Sequence, residues 1–180
     1  MASLVNFAFF QVGWFACVLG ASRGFVWAGP AVVILWLLAQ AIVSPDRKSE
    51  LLLALAAGLI GYLADSALVL AGVLAFEPKC HIGRPSPVWM VALWLNLAGT
   101  LNHSLFWLRG RWLLAAALGA LGGPAAYWAG VRLGAASLHE PIWVSLAAVS
   151  VEWCLAMPIL AWLAWRSSAA PSQPAAENAS

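Results

Sequence analysis

The chain has 180 residues, of which 63% are hydrophobic and 9% are charged, whereas a soluble globular domain carries about 25% charged residues. Nine Lys and Arg with seven Asp and Glu cannot cover the surface of a soluble fold of this length. The mean hydropathy of +0.87 also excludes a disordered chain, and the composition excludes a disulfide-stapled secreted scaffold. An integral membrane protein remains. The scattered net charge of +2 gives no indication of a nucleic-acid partner.

Six apolar stretches are long enough to cross a membrane, since a helix needs about 20 apolar residues to do so. The predicted spans cover residues 4–21, 25–43, 51–76, 88–108, 112–133 and 142–165. The apolar runs are continuous and do not alternate as the strands of a membrane barrel would. We therefore predict an all-α fold, an integral membrane bundle of six transmembrane helices over residues 1–166. Residues 167–180 are small, polar and rich in Ala, Ser and Pro, which predicts a disordered C-terminal tail.

The fifth span carries a Gly-Gly-Pro sequence at 122–124, which predicts either a kinked helix or two half-helices. Proline removes a backbone donor, so carbonyl groups of the preceding turn, near Ala120, need partners inside the protein. We expect this segment to line the same interior as Asp65, with Arg132 available to an anionic group at the membrane surface. The alternative is a kink that only improves packing, with Arg132 reaching out to the interface.

Basic residues in the loops predict the orientation of the bundle. One side carries Arg47, Lys48, Arg109, Arg111 and Arg166, and the other carries Arg23, Lys79, Arg84 and Arg132. The tightest basic loops, 44–50 and 109–111, lie on the first side. We therefore expect both termini in the cytoplasm.

Polar residues at membrane depth form the first candidate site. Asp65, Asn96 and Glu152 lie near the middle of the third, fourth and sixth spans, roughly 18–21 Å from the cytoplasmic ends at ~1.5 Å of rise per residue. Because the three depths are similar, we expect the three side chains to meet in one layer of the bundle. Ionisable groups such as Asp65 and Glu152 are costly at membrane depth, so their presence there indicates a function. Tyr62 shares a helix face with Asp65, and the shallower His103 completes the candidate site. The alternative is a structural role, in which these groups hydrogen-bond across spans.

A second candidate cluster lies at the opposite, periplasmic mouth and comprises Arg23, His81, Arg132 and Glu140. Solvated loop charges are the alternative there. Interhelical hydrogen bonding is the expected role of the amides Asn6, Gln11, Gln40 and Asn102. Packing or lipid contact, rather than a pocket, is the favoured role of the deeper tryptophans Trp14, Trp36, Trp94, Trp128 and Trp153.

Known catalytic and cofactor motifs are not found in the sequence. The three cysteines have neither metal-binding nor redox spacing, and one histidine well inside a span is too few for a buried haem. Phosphate-binding loops, dinucleotide fingerprints and hydrolase elbows are also absent from the sequence. We therefore expect neither a metal nor a cofactor.

Three stretches of sequence carry a resemblance to a known family. They are residues 6–11 together with Trp14, the sequence WLNLAGTLNHS at 94–104, and the sequence GGPAAYWAGVRLGA at 122–135. The chain resembles a bacterial family of small multi-pass inner-membrane proteins that is classed as a domain of unknown function. The resemblance covers nearly the whole chain apart from the tail and implies a bacterial inner-membrane location. It implies no activity, substrate or cofactor.

Three functions remain compatible with the sequence. A lipid-associated accessory protein without catalysis of its own is favoured. A small proton- or cation-coupled transporter would use Asp65 and Glu152, but no three-plus-three repeat is evident. An intramembrane lipid-modifying enzyme would use His103 and a carboxylate as acid and base, but a nucleophile or metal set is not evident. Membrane lipids are the expected partners, and a membrane-protein partner or a homo-oligomer remains open.

Overall fold

The computed structural model describes residues 2–80 and 82–168, and within them the chain forms six α-helices. The helices are α1 (Ala2–Ser22), α2 (Ala28–Val43), α3 (Arg47–Leu70), α4 (Val88–Leu101), α5 (Trp112–Arg132) and α6 (Ile142–Ser168). Two short 3-10 helices cover Pro78–Cys80 and Phe106–Leu108, and two-residue strands β1 (Leu74–Ala75) and β2 (Ser137–Leu138) pair antiparallel. The all-α prediction is confirmed. The predicted tail covers residues 167–180, of which 169–180 lie outside the described residues, while Ser167 and Ser168 form the end of α6.

Four of the helices, α1, α3, α5 and α6, are long and apolar enough to cross a membrane. The other two are shorter: α2 has 16 residues and α4 has 14, which correspond to about 24 Å and 21 Å of helix. The prediction of a span over 88–108 was therefore too long. The helix ends at Leu101, and the following residues form turns and a 3-10 helix. The apolar helices are compatible with a membrane protein.

The centre of the bundle is α4, which packs against α1, α2 and α3, while α6 packs against α3 and α5. Hydrogen bonds donated by side-chain amides hold the helices together at this centre, as expected from the sequence. The amide nitrogens of Asn6 and Gln40 both donate to the carbonyl of Gly99, at 2.8 Å and 3.1 Å. Gly99 leaves room for this because a Cβ there would lie 2.8 Å from Oε1 of Gln40. Two outer helices are thereby fixed to one turn of α4.

Contacts between distant residues define the two ends of the bundle. Ser49 Oγ donates to the carbonyl of Ser167 at 3.1 Å, so the start of α3 lies beside the end of α6. The start of α1 lies at this same end, which we call the terminal end, because Asn6 bonds to the turn after α4. At the opposite end, the β1–β2 pair joins the α3–α4 loop to the α5–α6 loop. A bond from the His139 amide to the Val73 carbonyl, 3.1 Å long, extends this pairing.

The Gly-Gly-Pro segment does not divide α5, which is a single continuous helix with Pro124 inside it. The carbonyl that proline leaves without an intrahelical donor is that of Ala120, four residues earlier. Ser150 Oγ on α6 donates to this carbonyl at 2.7 Å. The expectation that the freed carbonyl finds a partner inside the protein is confirmed, and this bond ties α5 to α6.

Candidate functional site

Asp65 lies at the centre of the candidate site and is fully buried on α3. Its carboxylate accepts two hydrogen bonds from side chains of other helices. Trp94 Nε1 on α4 donates to Oδ2 at 2.8 Å, and the hydroxyl of Tyr127 on α5 donates to Oδ1. Asp65 therefore connects three helices through one carboxyl group, in surroundings where an unpartnered polar group is costly.

Aromatic rings enclose this carboxyl group, and glycines make the close approach feasible. The rings of Trp94 and Trp153 stack with centroids 4.5 Å apart, and the Tyr127 ring meets Trp153 edge-on at 6.4 Å. A Cβ at Gly61 would lie 1.9 Å from Trp94 Cγ, and one at Gly123 would lie 2.3 Å from Trp153 Cγ. Both glycines are required because a ring occupies the place of their side chain.

Glu152 is the second carboxyl group near the centre of the bundle. It lies on α6, one residue before Trp153, and is close enough to Asp65 for the two carboxyl groups to influence each other. Both of its carboxylate oxygens are buried, and neither has a hydrogen-bond partner among the described residues. The structure thus brings Asp65 and Glu152 together, as their similar depth in the sequence suggested.

Two other predicted members of this site lie elsewhere. Asn96 is buried at the expected depth, but it follows Trp94 by two residues and so points about 200° around α4. Its amide donates to the carbonyl of Phe10 on α1 at 2.8 Å. Tyr62 precedes Asp65 by one turn, yet its hydroxyl donates to the carbonyl of Arg84 at 2.8 Å, which draws the α3–α4 loop back along α3. Neither residue contributes to the carboxyl pair.

His103 is also separate from the carboxyl pair. It lies in the turn after α4, at the terminal end, because the helix stops earlier than the apolar pattern suggested. Its Nε2 lies 3.3 Å from Oε1 of Glu50 at the start of α3. A His–carboxylate pair does exist, but its acid is Glu50 rather than Asp65 or Glu152.

The predicted cluster at the opposite end does not form a defined site within the described residues. Arg23, Arg132 and Glu140 are all exposed. Arg132 lies over the ring of Trp128 at 5.9 Å, and Oε2 of Glu140 accepts a bond from the amide of Ile142. His81 lies outside the described residues. These positions favour the alternative of solvated loop charges.

A groove with a volume of about 590 Å³ runs between α1 and α5, with α4 beneath it. Trp14 and Phe15 line it from α1, while Gly119, Gly122 and Ala126 line it from α5. A Cβ at Gly122 would meet no atom within 4 Å, so the groove is open at this position. Its walls are almost entirely apolar and aromatic.

The groove and the carboxyl pair share a wall. Trp94, Tyr127 and Trp153 all line the groove, and two of them donate to Asp65 behind it. Packing was the favoured role for the deep tryptophans, and Trp94 and Trp153 combine packing with a position on this wall. Sequence reasoning gave little weight to these rings because tryptophan is common in membrane helices. The glycines that face them, Gly61 for Trp94 and Gly123 for Trp153, are the signal in the sequence that could have drawn attention to these rings.

Metal binding has no obvious place in this arrangement. Within residues 2–80 and 82–168, no group of three His, Cys, Asp or Glu side chains is placed to hold a metal ion. The buried thiol of Cys80 illustrates the structural role of the cysteines, since its Sγ donates to the Ala21 carbonyl at 3.1 Å and its own carbonyl accepts from Trp89. Burial raises the pKa of this thiol, which disfavours the metal-binding thiolate.

Comparison with known proteins gives one match. No curated protein and no solved structure matches the chain. A family model described as "Protein of unknown function (DUF2878)" matches residues 3–159, which include all three stretches that carry the resemblance. The match confirms that resemblance to a domain of unknown function. The chain therefore belongs to the DUF2878 family of proteins of unknown function.

Proposed function

We propose that this protein is a six-span integral protein of the bacterial inner membrane that binds a lipid acyl chain in the α1–α5 groove. Its role is that of a lipid-associated accessory protein, with both termini in the cytoplasm. The observation that carries the proposal is the groove itself, an apolar recess of about 590 Å³ between two apolar helices. Cavities of roughly 300–1,000 Å³ are typical of small-molecule sites.

The surroundings of the groove support an acyl chain as its occupant. Large apolar side chains beside it are exposed, among them Phe15 at 49% on α1 and Leu121 at 74% on α5. A soluble protein rarely exposes so many apolar residues together, and in a bilayer they contact acyl chains. The groove is therefore a recess in a lipid-facing surface, and the chains that surround it also have the chemistry to fill it.

The short helices α2 and α4 are compatible with six spans. Non-helical backbone is tolerated at membrane depth where protein rather than lipid surrounds it. Around α4 this condition holds, since Ser86 and Pro87 before the helix and Leu108 after it are buried. The contacts that gather both termini at one end fit an even number of crossings.

Reporter fusions test this topology. Fusions at Pro45, at Gly110 and in the C-terminal tail should report the cytoplasm, because the tightest basic loops lie on that side. A fusion at Ser86 should report the periplasm. The reverse pattern would contradict the orientation but not the six spans. Fusions at Pro45 and Ser86 that report the same side of the membrane would contradict the spans themselves.

Filling the groove at Gly122 tests lipid binding. Gly122→Leu should reduce retention of copurified lipid about tenfold in native mass spectrometry, because two displaced methylene groups forfeit about 1.6 kcal/mol. The melting temperature should not fall, since leucine forms helix better than glycine by about 1 kcal/mol and a Cβ meets no atom there.

Ala125→Leu is the matched control for this experiment. Ala125 is exposed on the same helix and does not line the groove, so its replacement should leave lipid retention unchanged. Equal retention in wild type and Gly122→Leu would contradict the proposal. A parallel loss in both variants would show that lipid is held by the outer surface and not by the groove.

A further inference from the structure

A second cavity, of about 670 Å³, lies at the terminal end of the bundle, and polar and charged side chains interrupt its mainly apolar lining. Residues of α1, α2, the start of α3 and the turn after α4 line it. The lining side chains that could bind a ligand through charge or hydrogen bonds include Asp46, Glu50, Asn102, His103 and Arg109. Neither the groove nor the Asp65–Glu152 pair shares these residues.

The protein leaves the guanidinium of Arg109 incompletely paired. Nη2 donates to Oδ1 of Asn102 at 2.7 Å, while Nε is buried without a hydrogen-bond partner among the described residues. The guanidinium lies 4.1 Å above the ring of Phe106, which fixes its plane. Burial lowers the pKa of Arg109, and the charge of Glu50 opposes this. A partly desolvated, planar guanidinium whose neighbour is a neutral amide is suited to bind an oxyanion.

The carboxylates beside Arg109 already have partners of their own. Glu50 Oε1 lies 3.3 Å from His103 Nε2, and in the described part of the chain this is the one contact within 4.0 Å between a carboxylate oxygen and a His, Lys or Arg nitrogen. Oδ1 of Asp46 accepts a hydrogen bond from the backbone amide of Ser49 at 3.1 Å, which caps the start of α3. Among the described residues no carboxylate oxygen lies within 4.0 Å of Arg109, although the charge of Glu50 acts on it from further away, so the guanidinium is open to the close approach of a ligand oxyanion.

The rim of the cavity is apolar, which distinguishes a lipid from a soluble anion. Val5 and Val43 line the cavity and are 48% and 82% exposed. Trp36 also lines it and stacks on Phe9, with ring centroids 4.0 Å apart. A ligand that joins a phosphate to a long apolar chain matches a guanidinium beside apolar walls and an exposed apolar rim, whereas a soluble phosphate would use only the guanidinium.

We propose that this cavity binds the phosphate group of a membrane phospholipid, held by Arg109, with an acyl chain leaving along the rim of Val5 and Val43. The phosphate accepts hydrogen bonds from the guanidinium, in the manner of other Arg–phosphate pairs. The proposal requires a membrane around the terminal end, but it does not require a ligand in the α1–α5 groove.

Delipidation tests the proposal. The full chain, purified and washed in detergent, should retain one phosphatidylglycerol or phosphatidylethanolamine in native mass spectrometry, and Arg109→Gln should weaken this retention at least tenfold. Arg111→Gln is the matched control, because Arg111 is exposed in the same loop and does not line the cavity. Equal losses in both variants, or no loss in Arg109→Gln, would overturn the proposal.

Two further experiments identify the source of the phosphate and distinguish a loss of lipid binding from misfolding of the Arg109 variant. Inorganic phosphate at millimolar concentration should not displace the lipid, and displacement would assign the site to soluble phosphate instead.

Val43→Asp should weaken lipid retention as Arg109→Gln does, because it places a negative charge on the rim without disturbing buried contacts. Ile42→Asp, exposed but outside the cavity, should leave retention intact. Retention in Val43→Asp equal to that in Ile42→Asp would overturn the proposed path of the chain.

Discussion

Replacement of Asp65 by leucine should lower the free energy of unfolding by about 2–6 kcal/mol. The substitution leaves two buried donors, the indole N–H of Trp94 and the hydroxyl of Tyr127, without acceptors, and each orphaned group costs about 1–3 kcal/mol. Asp65→Asn keeps one acceptor oxygen and should cost about half as much. Thermal or denaturant unfolding in detergent micelles measures both effects.

A double variant separates the lost hydrogen bonds from a simple packing defect. Tyr127→Phe in the Asp65→Leu background removes one orphaned donor, so the double variant should be more stable than Asp65→Leu by about 1–3 kcal/mol. Additive losses would mean that the hydroxyl of Tyr127 does not depend on Asp65, which would contradict the arrangement of the site.

Gly61→Ala should destabilise the fold by about 3 kcal/mol or more, or prevent the protein from accumulating in the membrane. The new Cβ would lie 1.9 Å from Cγ of Trp94, which is 2% exposed, stacked on Trp153 and bonded to Asp65. Since the indole has no room to withdraw, the backbones of α3 and α4 must separate. Unfolding of the purified variant, or its level in the membrane, measures the effect.

Gly122→Ala provides the control for this overlap. It places the same methyl group on a helix where nothing lies within 4 Å, so it should be neutral or stabilising by up to about 1 kcal/mol. Gly123→Ala, one residue further, should behave like Gly61→Ala because its Cβ would lie 2.3 Å from Trp153 Cγ. If all three alanine variants were equally stable, the tight helix contacts would not be those of the folded protein.

The six helices follow from the sequence because long, continuous apolar runs predict them without reference to tertiary contacts. The helix ends follow less well, since local geometry decides them. Gly72, with φ at 72°, turns the chain out of α3 well before the apolar run ends at residue 76. The turn that begins at Asn102 likewise ends α4 while apolar residues continue.

For the candidate site, the sequence predicts how deep a residue lies along its helix but not the direction in which its side chain points. Depth along a helix can be counted from the sequence, and it correctly suggested that Asp65 and Glu152 are neighbours. The direction of a side chain depends on which helices are adjacent, which the apolar pattern does not specify. Asn96 has the right depth but points to α1, and only helix packing could distinguish it from Trp94, two residues away.

The central place of α4 has a consequence for how the chain is assembled. Three of the helices against which α4 packs, α1, α2 and α3, precede it in the chain, so they are available as soon as α4 leaves the ribosome. The α5–α6 hairpin arrives last and docks chiefly through α6 onto α3. Until it docks, Asp65 has Trp94 as a donor but not Tyr127. We therefore expect the bond from Tyr127 to Asp65 to form in the last step of assembly, when the hairpin joins the four helices that precede it in the chain.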